Sequence, residues 1–172
     1  MRLSYLTINN FRVYAGEHHF DLSPREKYGE ERPIILFGGL NGSGKTSILS
    51  SVRLALYGRA SLGNNVSQKK YEQHLIDSIH RSRDRSNIAN SAFIELAFSY
   101  AKLGEETFYT VTRSWNRTEK SVKEGLSISE DGDPVSGLTY EQTQTFLNEL
   151  IPIGVSDLFF FDGEKIAELA ED

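Results

Sequence analysis

The string Gly39-Leu40-Asn41-Gly42-Ser43-Gly44-Lys45-Thr46 fits G-x-x-x-x-G-K-[ST] at every fixed position, and no other feature restricts the fold of this chain as much. Glycines let a backbone curl so that successive N–H groups point inward and form an anion nest. A helix starting at the end of such a loop adds its free first-turn N–H groups and its positive dipole end. Both flanks are suited to this. Ile34-Ile35-Leu36-Phe37 is a continuous apolar run closed by Gly38-Gly39, the pattern of a strand covered on both faces. From Lys45 the period becomes helical: Ile48, Leu49, Val52, Ala55 and Leu56 form one stripe, and Gly58 is placed to stop it. A chance glycine-rich turn is the competing reading. With Gly near 7% of residues in an average protein, chance predicts fewer than about one match per hundred chains of this length. The pattern therefore points to a nucleotide phosphate site. Gly39, Asn41, Gly42, Ser43 and Gly44 supply the loop, and Lys45, Thr46 and Ser47 open the helix. Lys45 is expected to bridge β- and γ-phosphates, and the Thr46 hydroxyl is a hard oxygen ligand for Mg²⁺. ATP and Mg²⁺ are the implied cofactors.

The rest of the chain reads as α/β. Leu3–Phe11 predicts a strand, His18–Leu22 a short second one, and Ser23–Arg32, with Pro24 and Gly29, a loop. Gly58–Ser67 reads as loop and Gln68–Ile79 as helix. Ala92, Ile94, Leu96, Phe98 and Tyr100 alternate with less apolar neighbours, the signature of a half-buried strand. A turn at Leu103-Gly104-Glu105, a β run over Thr107–Arg113, and another around Leu126 and Ile128 closed by Asp131-Gly132 follow. Their short links imply an antiparallel meander, because parallel neighbours need a crossover of a dozen or more residues. Tyr140–Leu150 predicts a helix stopped near Pro152. Val155–Phe161 is strand-like, and Glu164–Asp172 is helical without a C-terminal stop, as if the helix continued.

At 172 residues one domain is the natural expectation, and 38% hydrophobic with 25% charged residues excludes a disordered chain. There is no apolar run long enough to span a bilayer and no secretory signal pattern. Zero cysteines exclude disulfides, thiolate metal sites and a cysteine nucleophile, and fit a reducing cytoplasm. The net charge of −5 means that any contact with nucleic acid needs a local patch. Arg81, Arg83 and Arg85 offer one, against which stand the interrupting Asp84 and the lack of interleaved aromatics; a solvated loop is the alternative. The histidines (His18, His19, His74, His80) have no metal-ligand grouping. Leu158-Phe159-Phe160-Phe161-Asp162 has the form of an apolar strand ending in a Mg²⁺-ordering Asp, or of a core strand with a capping Asp; Gly163 separates it from Glu164. Arg12, at the end of the first strand, reads either as a solvated surface residue or as part of the site.

These pieces together resemble a known family. Leu3, Leu6, Ile8 and Asn10-Phe11-Arg12, the loop Gly39–Thr46 with Ser47, and Ala55-Leu56-Tyr57-Gly58 look like the N-terminal lobe of SMC/RecF-type ATPases of the ABC class. Phe159-Phe160-Phe161-Asp162-Gly163-Glu164-Lys165-Ile166 is similar to the DndD family, the ATPase subunits of bacterial DNA phosphorothioation (sulfur modification) systems. Related ATPases of DNA repair and phage defence share such strings. The resemblance implies residues 1–162 as an N-terminal head lobe, with an antiparallel meander beside a P-loop sheet, and residues 163–172 as the start of a coiled-coil helix. It implies that Arg12 approaches the nucleotide phosphates. It sets Asp162-Gly163-Glu164 on the family's Gln-Gly-Glu loop, with Asp162 as a Mg²⁺ ligand in place of Gln, so Lys45 and Asp162 are the candidate catalytic residues. The implied partners are a C-terminal lobe of the same protein, a second head sandwiching ATP, DNA, and the other subunits of a DNA-modification complex.

No Leu-Ser-Gly-Gly signature and no apolar run followed by Asp-Glu occurs between Met1 and Asp172. By this resemblance the chain is half a head, an ATPase in the full-length protein and inactive alone. Two other classes remain. A P-loop small-molecule kinase would use the Arg81–Arg85 stretch as a lid but needs a parallel core. A nucleotide-gated interaction module would bind without turnover.

Overall fold

The computed structural model describes residues 1–154 apart from residues 64, 83–88, 103 and 120. Arg83, Arg85, the strand-like run Val155–Phe161, Asp162 and the helix expected from Glu164 lie outside the described residues.

Two antiparallel strands, β1 (Arg2–Phe11) and β2 (Tyr14–Asp21), open the chain, and a small hairpin of β3 (Arg25–Lys27) and β4 (Glu30–Arg32) follows. The Gly39–Thr46 loop then leads into helix α1 (Lys45–Tyr57). A 3₁₀ turn over Gly58–Leu62 connects it to α2 (Gln68–Ser78). The meander is β5 (Ser91–Lys102), β6 (Glu105–Arg117), β7 (Val122–Glu130) and the stub β8 (Asp133–Pro134), and α3 (Tyr140–Leu150) closes the described chain. One sheet holds the order β2-β1-β5-β6-β7-β8. Every pairing in it is antiparallel, as the short links require. No helix among the described residues is long and apolar enough to cross a membrane.

The period-two pattern sorts the sheet into an inner and an outer face. Leu6 pairs with Leu96, Leu96 with Val111 and Val111 with Ile128, so one fully or nearly buried apolar row crosses four strands. The next row, Ile8–Ile94–Arg113–Leu126, brings an arginine into the interior. The stripe of α1 (Ile48, Val52, Ala55, Leu56) packs on this face with Tyr71 and Leu75 of α2 and Leu147 of α3. Trp115 fills the space below α2, and its Nε1–H donates to the Leu75 carbonyl at 2.9 Å.

Three sequence expectations change. β2 begins at Tyr14 rather than His18, and the expected loop at 23–32 contains the β3–β4 hairpin. The larger correction concerns Ile34–Phe37. This run joins no strand ladder, and Ile34 and Leu36 are 85% and 89% exposed. A strand buried on both faces needs neighbours to take its N–H and C=O groups. Among the described residues none lies alongside, so the segment stays irregular and an apolar groove of about 470 Å³ opens between it and α1, lined by Leu3, Leu22, Ile48, Leu49 and Val52.

Candidate nucleotide-binding site

Gly44 holds φ 103° and ψ 6° as the N-cap of α1, and its carbonyl accepts the first intrahelical bond, from Ile48 N–H at 3.1 Å. The amides of Lys45, Thr46 and Ser47 precede that bond and belong to the unpaired first turn of a helix. The first turn has no acidic residue and no side-chain cap, so nothing built into α1 competes with an incoming anion. Within the loop, Ser43 N–H bonds the Leu40 carbonyl at 3.1 Å, and Gly42 also adopts a positive φ of 81°. Asn41, Gly42 and Ser43 are exposed at the mouth.

Lys45 folds back over its own loop, its Nζ donating to the carbonyls of Gly39 at 2.7 Å and Leu40 at 2.8 Å. These exposed contacts hold the ammonium at the lip of the nest. Thr46 is exposed beside it, whereas the Ser47 side chain is buried, leaving Ser47 only its amide to contribute. The described residues contain no cluster of three or more His, Asp or Glu suited to a metal. One exposed threonine hydroxyl fits a cation completed by phosphate oxygens and water, as Mg²⁺ is usually held. The loop therefore suits a Mg²⁺-nucleotide and offers no self-sufficient metal site.

Arg12 reaches this region from the turn between β1 and β2, at φ 51°. Its backbone N–H donates to the Ser78 carbonyl at 2.7 Å, and His80 N–H to the Asn10 carbonyl at 2.7 Å. His80 Nδ1 lies 2.8 Å from the Arg12 carbonyl oxygen, which can only accept, so that nitrogen carries the proton. The turn is thereby stapled to the C-terminal end of α2. The guanidinium donates to Ser50 Oγ at 3.3 Å and lies 5.4 Å from the Phe11 ring centroid. Ser50 stands one turn beyond Thr46 on the same face of α1. Burial holds the Arg12 pKa below its usual value, and no carboxylate among the described residues pairs with it. Neighbouring His74 is pushed down by burial first and by the Arg12 charge second. A half-buried cation without a counter-ion, beside a helix that starts at an anion nest, is disposed to accept an anion.

Two features escaped the sequence reading. Tyr14 stands directly behind the loop, its hydroxyl donating to the Gly44 carbonyl at 3.3 Å. Arg113 is fully buried and ties the far end of α1 down. Its Nε and Nη2 donate to the Ala55 carbonyl at 3.3 and 3.2 Å, its Nη1 to Glu124 at 2.6 Å and Tyr140 at 2.8 Å, and its Nη2 to Gln144 at 2.6 Å. Glu124 also accepts the Tyr71 hydroxyl at 2.6 Å, and burial pushes that phenol's pKa far up. Gly58 ends α1 at φ 51°, where a Cβ would meet Arg113 Nη1 at 2.8 Å, so only glycine fits there. A sequence signal for Arg113 existed: alternation sets it between Val111 and Trp115 on the buried face.

No curated protein matches the chain. Among solved structures, the SMC head domain from Thermotoga maritima is similar, at 24% identity and a TM-score of 0.45, over 78% of this chain and 39% of that one. The chain thus spans well under half the length of that structure. A family model described as AAA domain matches residues 5–171, nearly the whole sequence, and the protein belongs to that AAA domain family.

Proposed function

We propose that this chain is the ATP-binding N-terminal lobe of an SMC/RecF-type ATPase head that couples ATP binding and hydrolysis to DNA processing, in DNA phosphorothioate modification. The observation that carries the reading is the bare N-terminus of α1 behind the Gly39–Thr46 loop, with Arg12 one turn further along, bonded to Ser50 and without a carboxylate partner among the described residues. In this reading the loop and first-turn amides bind the phosphates, and Lys45 leaves its two carbonyls to neutralise them. Arg12 adds a second positive charge, and Thr46 offers its hydroxyl to Mg²⁺. Bound Mg²⁺ would neutralise phosphate charge in the transition state. No apolar run followed by Asp-Glu occurs between Met1 and Asp172, and a C-terminal lobe is proposed to supply the general base. The Ile34–Phe37 run, exposed and without a strand partner among the described residues beside an apolar groove, supports a C-terminal lobe of the same protein as the covering partner. The all-antiparallel pairing of the sheet among the described residues argues against the kinase alternative. A second head, DNA and the other subunits of a modification complex complete the proposed set of partners, in the cytoplasm.

The direct test uses residues 1–172 alone. They are expected to bind ATP and to hydrolyse it negligibly, since transition-state stabilisation and water activation are incomplete. Turnover near a typical enzyme rate, about 1 s⁻¹ or more, that disappears in Lys45→Ala would overturn the half-head reading.

Asp162 is proposed as the Gln-loop position, reaching Mg²⁺ through its carboxylate. In the full-length protein Asp162→Ala should weaken Mg²⁺-dependent ATP binding. Asp162→Gln keeps an oxygen ligand and is expected to retain much more activity. Titrating Mg²⁺ against ATPase rate for both variants checks this. Equal loss in the two would identify an essential anion instead, and intact turnover in both a helix cap costing only about 0.5–2 kcal/mol of stability.

A further inference from the structure

We propose that Tyr14 is a positioning residue of the phosphate site, holding Gly44 in the left-handed conformation that aims the loop's last amides at a bound phosphate. This rests on the nucleotide-binding reading above and assigns part of that site to a strand outside the loop.

The geometry is specific. A Cβ on Gly44 would fall 2.6, 2.7 and 2.8 Å from Oη, Cζ and Cε2 of Tyr14, so ring and glycine backbone are in direct contact. The Tyr14 hydroxyl reaches the Gly44 carbonyl, the same oxygen that starts the α1 ladder. Burial raises the pKa of this phenol, which keeps it a neutral donor and no rival to an anion. The ring is itself fixed. It meets His18 edge-on at 5.1 Å and Phe20 edge-on at 5.7 Å, and Phe20 in turn meets Phe37 edge-on at 5.9 Å. Gly44 is the last glycine of the loop, and Phe37 lies two residues before its first. One face of β2 therefore grips both ends of the loop through Tyr14 and Phe20. The same hairpin delivers Arg12 to Ser50.

Free glycine explores both signs of φ, so a loop needing φ 81° at Gly42 and φ 103° at Gly44 must be ordered either by its ligand or beforehand. A wall of fixed aromatic rings does part of the ordering beforehand, and pre-organisation appears as affinity. Tyr14 touches no phosphate in this scheme; it acts through Gly44.

The test is made in the full-length protein by titrating a fluorescent ADP analogue and measuring steady-state ATPase. Tyr14→Phe keeps the ring but loses the hydroxyl bond to Gly44, and is expected to weaken ADP binding only a few-fold, clearly less than Tyr14→Ala. Tyr14→Ala removes the wall and is expected to weaken ADP binding and raise KM by about tenfold or more, with kcat changed much less. Should the alanine variant fail to fold by circular dichroism, Tyr14→Leu, which keeps bulk without a flat ring, is expected to weaken binding several-fold. A folded Tyr14→Ala or Tyr14→Leu protein that binds ADP as tightly as the unsubstituted one overturns the proposal and leaves the nucleotide site standing. If instead the unsubstituted protein binds no ADP, the nucleotide reading fails and this inference falls with it.

Discussion

Lys45→Ala in the full-length protein is expected to cut ATP turnover by at least about 100-fold, the usual cost of losing one preorganised charge-stabilising donor. The ammonium is the only charged group the loop itself carries, and it sits 2.7 and 2.8 Å from the Gly39 and Leu40 carbonyls, at the lip of the nest. Truncation leaves those carbonyls to solvent, since both contacts are exposed, so the fold should survive. The backbone nest and the α1 N-terminus also remain. Nucleotide binding should therefore weaken less than turnover does, because the charge matters most where γ-phosphate charge develops. Any DNA-modifying activity that depends on hydrolysis should fall in parallel. Phosphate-release assays on the purified variant, with a thermal melt as the folding control, decide the matter. Normal turnover would mean that another loop holds the reacting phosphates.

The loop and the helix behind it were readable because their pattern is local. The loop's chemistry is written in contiguous residues, and the helix behind it in a regular apolar stripe, so α1 runs from Lys45 to Tyr57 and stops at Gly58 as expected. The bounds of α3, Tyr140–Leu150, were equally legible, with Thr139 and Gln142 forming a capping box at its start. Alternation marked β5, and the short links joining it to β6 and β7 foretold their antiparallel order. Ile34–Phe37 was misread because an apolar run reports only that a segment wants cover, not that cover is present. Arg12 was legible as a residue and ambiguous as a role. Its neighbours Ser50, Ser78 and His80 are 38 or more positions away, and no local pattern announces them. Tyr14 was hidden for the same reason: its partner Gly44 is 30 residues distant.

Arg113→Met is expected to be the most damaging single change to the fold. The guanidinium is fully buried and bonded to Ala55, Glu124, Tyr140 and Gln144 at once. Without it, the Glu124 carboxylate, only 12% exposed, keeps the Tyr71 hydroxyl but loses its counter-charge. The Ala55 carbonyl and Gln144 Oε1 lose their donors as well. Breaking a buried pair from one side costs about 3–5 kcal/mol, because an uncompensated charge stays behind. For a domain of this size that corresponds to a fall in Tm of roughly 6–20 °C. Removing both charges together, as Arg113→Met with Glu124→Leu, should cost much less than the sum of the two single changes, since no orphaned ion remains. Urea or thermal unfolding of the three variants gives the coupling directly, and additive losses would show that the pair is incidental. The cost reaches the phosphate site through α1. Arg113 grips the Ala55 carbonyl and Gln144 Nε2–H the Leu56 carbonyl at 2.9 Å, so the C-terminal end of the helix is anchored by a cation suited to its dipole. The opposite end of that same helix presents the amides of Lys45, Thr46 and Ser47. A helix loosened at Ala55 and Leu56 holds those amides less firmly, so the single variant should also lose nucleotide affinity at temperatures where it remains folded.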